Sequence, residues 1–207
     1  MKLAVFGGSG RVGRLVVSQA LARGHQVSAL VREAGGLPAN SGVRCVGGDV
    51  TDPSAVEDVV RGSDAVLSSL GAPSLERPGT VLQDGMRTIT GVMRRLGVRR
   101  IVAVAGSGVL DDPAGGLRHD QPGFPATFRA ISAQHAGTWA ALKESRLDWT
   151  LVCTPTQVSG RQPERVRALV DQLPAGGAEI AVEDIAAFMV SQLGDTRFLA
   201  RRIGLSW

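Results

Sequence analysis

The residues of this chain that could do chemistry gather where apolar runs end. The first group is Gly7-Gly8-Ser9-Gly10-Arg11-Val12-Gly13, with glycines at three-residue spacing directly after the run Leu3 to Phe6. Val12, Leu15, Val16 and Ala20 then recur at helical spacing until Gly24, so a buried strand passes into a helix through glycine. At such a junction Gly7 allows the tight turn, Gly10 lets the backbone approach a pyrophosphate, and Gly13 lets the helix pack closely on the strand. Free N–H groups around Ser9, Arg11 and Val12 at the helix start would attract the anion.

A second group, Leu30-Val31-Arg32-Glu33, lies about 20 residues further on, where dinucleotide-binding folds choose between the two nicotinamide cofactors. Arg32, helped by Arg11, could hold a 2′-phosphate through charge-assisted hydrogen bonds, which predicts NADP(H). Glu33 on a ribose hydroxyl would instead select NAD(H). Asp49, in Gly48-Asp49-Val50, could accept from an adenine amino group or serve as a turn residue ahead of the helix cap Asp52; the sequence leaves both open. Ser69-Leu70-Gly71-Ala72 ends the fourth strand, where small residues leave room for the cofactor backbone, and Ala105, Gly106, Pro155 and Thr156 are expected to meet the cofactor at the ends of the next two strands. His135 and Trp139, spaced i, i+4, share a helical face. His135 could polarise a substrate, or it could be a core histidine with one satisfied hydrogen bond.

These groups need a scaffold, and the apolar runs supply it. Strand-like segments recur at Gln26 to Val31, Val43 to Val46, Ala65 to Ser68, Ile101 to Val104 and Trp149 to Cys153, with helical patterns between most of them. Leu82, Met86, Ile89, Met93 and Leu96 form one stripe ending at Gly97, and further helices are expected over about Ala126 to Ser145 and Glu183 to Leu193. Alternation of this kind predicts an α/β fold, a doubly wound parallel sheet flanked by helices. Two segments, Gly106 to Pro125 and Thr156 to Gly177, have no clear pattern; both follow strands, where long loops form substrate walls.

Composition narrows the function classes. A chain of 207 residues with 43% apolar content and no linker reads as a single domain over 1–207. No apolar run approaches a membrane span and Met1-Lys2 leads straight into the first strand, so neither signal peptide nor membrane is expected, and the location expected is cytoplasmic. The net charge of +4 comes from arginines spread along the chain, which argues against nucleic acid as a partner. Cys45 and Cys153 read as separate packed thiols, and His25, His119 and His135 are scattered, so no metal is expected. The expected partner is a small conjugated molecule; monomer and dimer both stay open.

Taken together, these residues resemble the atypical short-chain dehydrogenase/reductase group, most closely its small biliverdin-IXβ reductase/flavin reductase-like members. The likeness spans nearly the whole chain. It rests on the Gly7, Gly10, Gly13 loop, Leu30-Val31-Arg32, Gly48-Asp49-Val50, Ser68-Ser69-Leu70-Gly71, and the run from Leu142 to Thr150 that leads to Pro155. The resemblance implies a Rossmann-type domain that carries NADPH and reduces flavins or related acceptors, or that binds the cofactor without known chemistry. It also implies that His135 lies near the active site and that Ser107 is close to where the group keeps a hydroxyl, although Gly106 falls there if no gap is allowed. Thr156 stands where the subgroup tends to have a histidine.

This chain has no tyrosine, so the Tyr-x-x-x-Lys proton donor of ordinary members of the group cannot exist in it. A carbonyl needs such an acid, whereas an acceptor that delocalises charge can be protonated from water, so a flavin or quinone suits the sequence better. An NmrA-like NADP-binding sensor without catalysis, or an isomerase or cyclase using the same pocket, would carry the same cofactor residues.

Overall fold

Residues 1–32, 37 and 42–207 are described by the computed structural model. The chain runs through β1 (Lys2–Phe6), α1 (Arg11–Ala22), β2 (Gln26–Val31), β3 (Val43–Gly47), α2 (Pro53–Val60), β4 (Ala65–Ser68) and α3 (Val81–Leu96). It continues through β5 (Arg100–Gly106), α4 (Arg129–Ser145), β6 (Asp148–Thr154), β7 (Thr156–Val158), β8 (Arg167–Val170), β9 (Glu179–Ala181), α5 (Val182–Ser191) and β10 (Arg201–Ser206).

Eight strands form one sheet in the order β3-β2-β1-β4-β5-β6-β10-β8, parallel throughout except that β8 runs antiparallel to β10. This is the doubly wound α/β architecture that the alternating pattern predicts. The central strands are buried along most of their length and mainly apolar because both faces are covered. Phe6, Ile101 and Leu151 meet α2, α3 and α4 on one side, while Leu3, Val5 and Val152 meet α1 and α5 on the other. The order reverses between β1 and β4, and such a switch point opens a crevice beyond the strand carboxyl ends.

Local signals explain most element boundaries. The Asp52 side chain accepts from the Ser54 N–H and Pro53 occupies the first turn of α2, a cap worth about 1 kcal/mol. Gly97 ends α3 in the left-handed region at φ 74°. The fourth helix starts later than its apolar pattern suggests, because Ala126–Phe128 forms a separate 3-10 turn, and Phe128 stays exposed.

Four strands depart from the sequence expectation. Both β8 and β10 begin with arginine, and β7 and β9 have three residues each, pairing in parallel as a small separate sheet. The segment Thr156 to Gly177 therefore contains two short strands, β7 and β8, rather than being a plain loop throughout. Gly204 interrupts the apolar run of β10 because the Gln172 carbonyl crosses its face where a Cβ would stand. Cys45 corrects another expectation: β3 is the edge strand, and its thiol is exposed, not packed. Cys153 is buried in β6, where desolvation pushes its thiol pKa up. No helix among the described residues is long and apolar enough to cross a membrane.

Candidate functional site

Three of the four glycines of the first loop, Gly7, Gly10 and Gly13, are bare for two different reasons. Gly7 sits at φ 75°, and a Cβ there would collide with the Ser69 carbonyl at the end of β4. A Cβ on Gly13 would collide with the Gly7 carbonyl. Those two positions are demanded by the protein's own packing. Gly10 is not: it has φ −75° and ψ 173°, open to any residue, and its Cβ would meet only the Gly7 carbonyl, at 3.3 Å.

Helix α1 starts at this bare residue with no side-chain cap and no acidic residue in its first turn. Its first N–H groups thus face the crevice with the positive end of the helix dipole behind them. Ser9 is exposed and Val12 turns its side chain into the core, leaving its backbone to the loop. Ser69, which sequence reasoning credited only with small size, braces the loop: its hydroxyl donates to the carbonyls of Phe6 and Gly7, each at 3.2 Å.

At the ends of β2 and β3, Arg32 and Asp49 come together, both exposed. The Asp49 carboxylate accepts from the Thr51 N–H at 2.8 Å and the Thr51 hydroxyl at 2.6 Å. Those two bonds, with a smaller contribution from the Arg32 charge, hold its pKa below the usual carboxylate range. One carboxylate oxygen thus makes the turn that the sequence allowed as an alternative to adenine recognition. Glu33, the competing selector of NAD(H), lies outside the described residues. Val50 and Leu70 pack on Gly85 of α3, so their side chains belong to the crevice floor.

The structure separates Arg11 from Arg32. The Arg11 guanidinium reaches the Gln157 carbonyl of β7 at 3.4 Å, and β7 follows β6, on the far side of β1 from β2. Arg32 thus stands at one end of the crevice, while the Arg11 guanidinium in this structure leans toward the other.

That other end is formed by β4, β5 and β6. Gly71 is exposed and Ala72 partly buried after β4, Ala105 is buried, and Gly106 pairs with Thr154 where β5 and β6 stop. Ser107 opens a 3-10 turn immediately after β5 and is partly buried. Pro155 and exposed Thr156 follow β6, and the Thr156 N–H donates to the Ala178 carbonyl at 3.2 Å.

His135, on α4, accepts the Gly106 N–H at Nδ1, 3.0 Å away, which places its own proton on Nε2. Burial lowers its pKa to about 4. In the folded protein the ring therefore stays neutral down to a pH at which the unfolded chain, with the ordinary value of 6.5, is already charged. The stability tied to His135 is complete above pH 6.5 and is lost as pH falls toward 4, by about 2–3 kcal/mol. Urea unfolding at several pH values within this window should show that slope, and His135→Gln should flatten it; an unchanged slope in the variant would assign the loss to other groups.

Both wall segments are tied to one arginine. Arg202 of β10, 5% exposed, donates from Nη1 to the Val109 carbonyl at 2.6 Å, from Nη2 to Asp111 Oδ1 at 2.8 Å and from Nε to Asp171 Oδ1 at 2.9 Å. Its guanidinium also lies 4.0 Å from the ring centre of Trp139, which carries Lys143 Nζ at 3.9 Å. Trp139 therefore shares a helix with His135 but serves a different contact.

A glycine turn braced by β4, an uncapped helix start and bare strand ends at the switch point define a dinucleotide-binding domain of the Rossmann type. More narrowly, the chain belongs to the NAD(P)H-binding family, whose model matches residues 7–196. It is 30% identical over 120 residues to a 3-beta-hydroxysteroid dehydrogenase of Mycolicibacterium neoaurum, covering 53% of this chain and 33% of that enzyme, so the chain spans about a third of its length. Among solved structures, a protein described as exported from Burkholderia pseudomallei superposes with a TM-score of 0.86 at 27% identity, covering 100% of both chains. A candidate NADH-flavin reductase from Streptococcus pneumoniae superposes at 0.81 with 25% identity, covering 100% of this chain and 99% of the other.

Proposed function

We propose that this protein is an NADPH-dependent reductase of flat conjugated acceptors, flavins or quinones. The observation that carries the cofactor half is Gly10, whose backbone suits any residue and whose Cβ would meet one protein atom, the Gly7 carbonyl at 3.3 Å, set against an uncapped helix start. A pyrophosphate fits that cradle, with the N–H groups of Arg11, Val12 and Gly13 facing it. Arg32 and Asp49 would take the adenosine end, and Arg11 would close over the middle. When bound, the nicotinamide supplies a hydride.

For the acceptor half, the support is the character of the two candidate groups at that end of the crevice, His135 and Ser107. His135 is neutral at physiological pH and spends Nδ1 on Gly106, so it acts as a positioning residue that fixes the end of β5. Ser107, next in the chain, can orient an acceptor but is no proton source. Solvent protonation suits an acceptor that spreads the incoming charge, and the likeness to a candidate flavin reductase agrees with it. The test is NADPH oxidation with a panel of flavins and quinones: stoichiometric consumption is expected. Tight cofactor binding without consumption by any acceptor would favour the sensor reading.

Cofactor selection yields a paired prediction. Arg32→Ala should weaken NADPH about tenfold and leave NADH unchanged, a modest effect because Arg32 is exposed. Arg11→Ala should weaken both cofactors alike, since its guanidinium points away from the 2′-phosphate end. Calorimetry with each cofactor distinguishes the two; a selective loss in Arg11→Ala would return that arginine to the phosphate.

A further inference from the structure

A cavity of about 400 Å³ lies between the two wall segments, lined by Asp111 and Arg118 on one side and by Gln172, Pro174, Gly177 and Ala178 on the other. Its size is that of a small-ligand site. Both walls are continuous with the proposed nicotinamide end of the crevice. The first leaves β5 through Ser107, and the second is joined to Thr156 by the Ala178 carbonyl.

The chemistry of this cavity is set by Arg118. It lines the cavity, is partly buried, and its guanidinium makes no hydrogen bond or ion pair with any described residue; its Nε is enclosed by the protein, which leaves the two Nη groups as the donors a ligand could meet. The contrast with Arg202 is direct, since that guanidinium uses all three of its nitrogens. Asp111 shares the cavity with Arg118, and one of its carboxylate oxygens, Oδ1, accepts from Arg202 at 2.8 Å, which offsets part of its charge. The backbone of Arg118 is fixed by its N–H bond to the Leu110 carbonyl at 2.9 Å. A guanidinium at a cavity wall with no protein partner is satisfied best by an oxyanion.

We infer that this cavity receives an oxyanion carried by the acceptor, a carboxylate or phosphate on a conjugated ring system, and that Arg118 selects it. The inference rests on the reductase reading for the word acceptor and on the cavity alone for the anion. Two matched pairs test it: FMN against riboflavin, and an anthraquinone carboxylate against its carboxamide. Each is titrated by calorimetry into the NADP-loaded protein, and its turnover is measured separately.

The anionic member of at least one pair should bind about tenfold more tightly than its neutral partner. Arg118→Gln should bring that ratio to about one, and Arg118→Lys should restore part of it. Equal binding within both pairs, or a preference that survives Arg118→Gln, overturns the inference. Discrimination in binding without turnover upholds the anion site while rejecting the reductase reading.

Discussion

Gly10→Val is expected to abolish nicotinamide cofactor binding, raising Kd at least a hundredfold, about 2.7 kcal/mol, in a protein that still folds. Folding should survive because the backbone of Gly10 lies where any L-residue is comfortable, and a Cβ there meets only one carbonyl, at 3.3 Å. Binding should not, because the branched side chain fills the space over the first N–H groups of α1. The control is Gly13→Val, whose Cβ would strike the Gly7 carbonyl; that variant should unfold or lose several kcal/mol with or without cofactor. Calorimetry and thermal unfolding of both variants decide the matter. A cofactor bound normally by Gly10→Val would move the pyrophosphate elsewhere.

The second large effect is expected at Arg202. Replacement by Met keeps much of the side chain's bulk against Trp139 but strands the Val109 carbonyl and the carboxylates of Asp111 and Asp171. Breaking a buried pair by removing one partner costs about 3–5 kcal/mol. The Asp111 side chain is 47% exposed and that of Asp171 28%, so both can rehydrate, and about 2–4 kcal/mol is the better expectation. In a domain of this size that lowers Tm by about 5–15 °C. Arg202→Lys should recover little, since an ammonium cannot reproduce the guanidinium's planar fork. Because the contacts of Arg202 lie in the walls and not in the glycine loop, acceptor KM should rise more than NADPH Kd. A Tm within 2 °C of the parent protein would show the network to be ornamental.

What could be read from the sequence follows the strength of local periodicity. The core strands β1, β2 and β4 to β6 are apolar runs bounded by turn residues, and α1 to α3 carry either a stripe or a clear start and stop, so they were legible with the fold class. The glycine loop was legible because glycine is chosen there for backbone reasons that spacing reveals. The strand β10 was not, since its arginines disguise a buried position and its glycine answers a distant carbonyl. Nor could the sequence show that Arg11 points to Gln157, that Ser69 braces Gly7, or that Arg202 gathers Asp111 and Asp171 from 91 and 31 residues away. Such pairings are set by tertiary approach, and in a chain with 21 arginines no single one stands out.

The insertion of β10 between β6 and β8 also orders events in time. On the ribosome, β1 to β5 and their helices emerge with the partners they need, and the glycine loop can take its shape once β4 is present to brace it. The part of the molecule that holds the two wall segments must wait, because β8 has no strand to pair with and Asp111 and Asp171 lack the arginine of β10 until residues 201–206 arrive. During that interval β6 presents an open edge, so the nascent chain holds a finished glycine loop beside an unfinished wall.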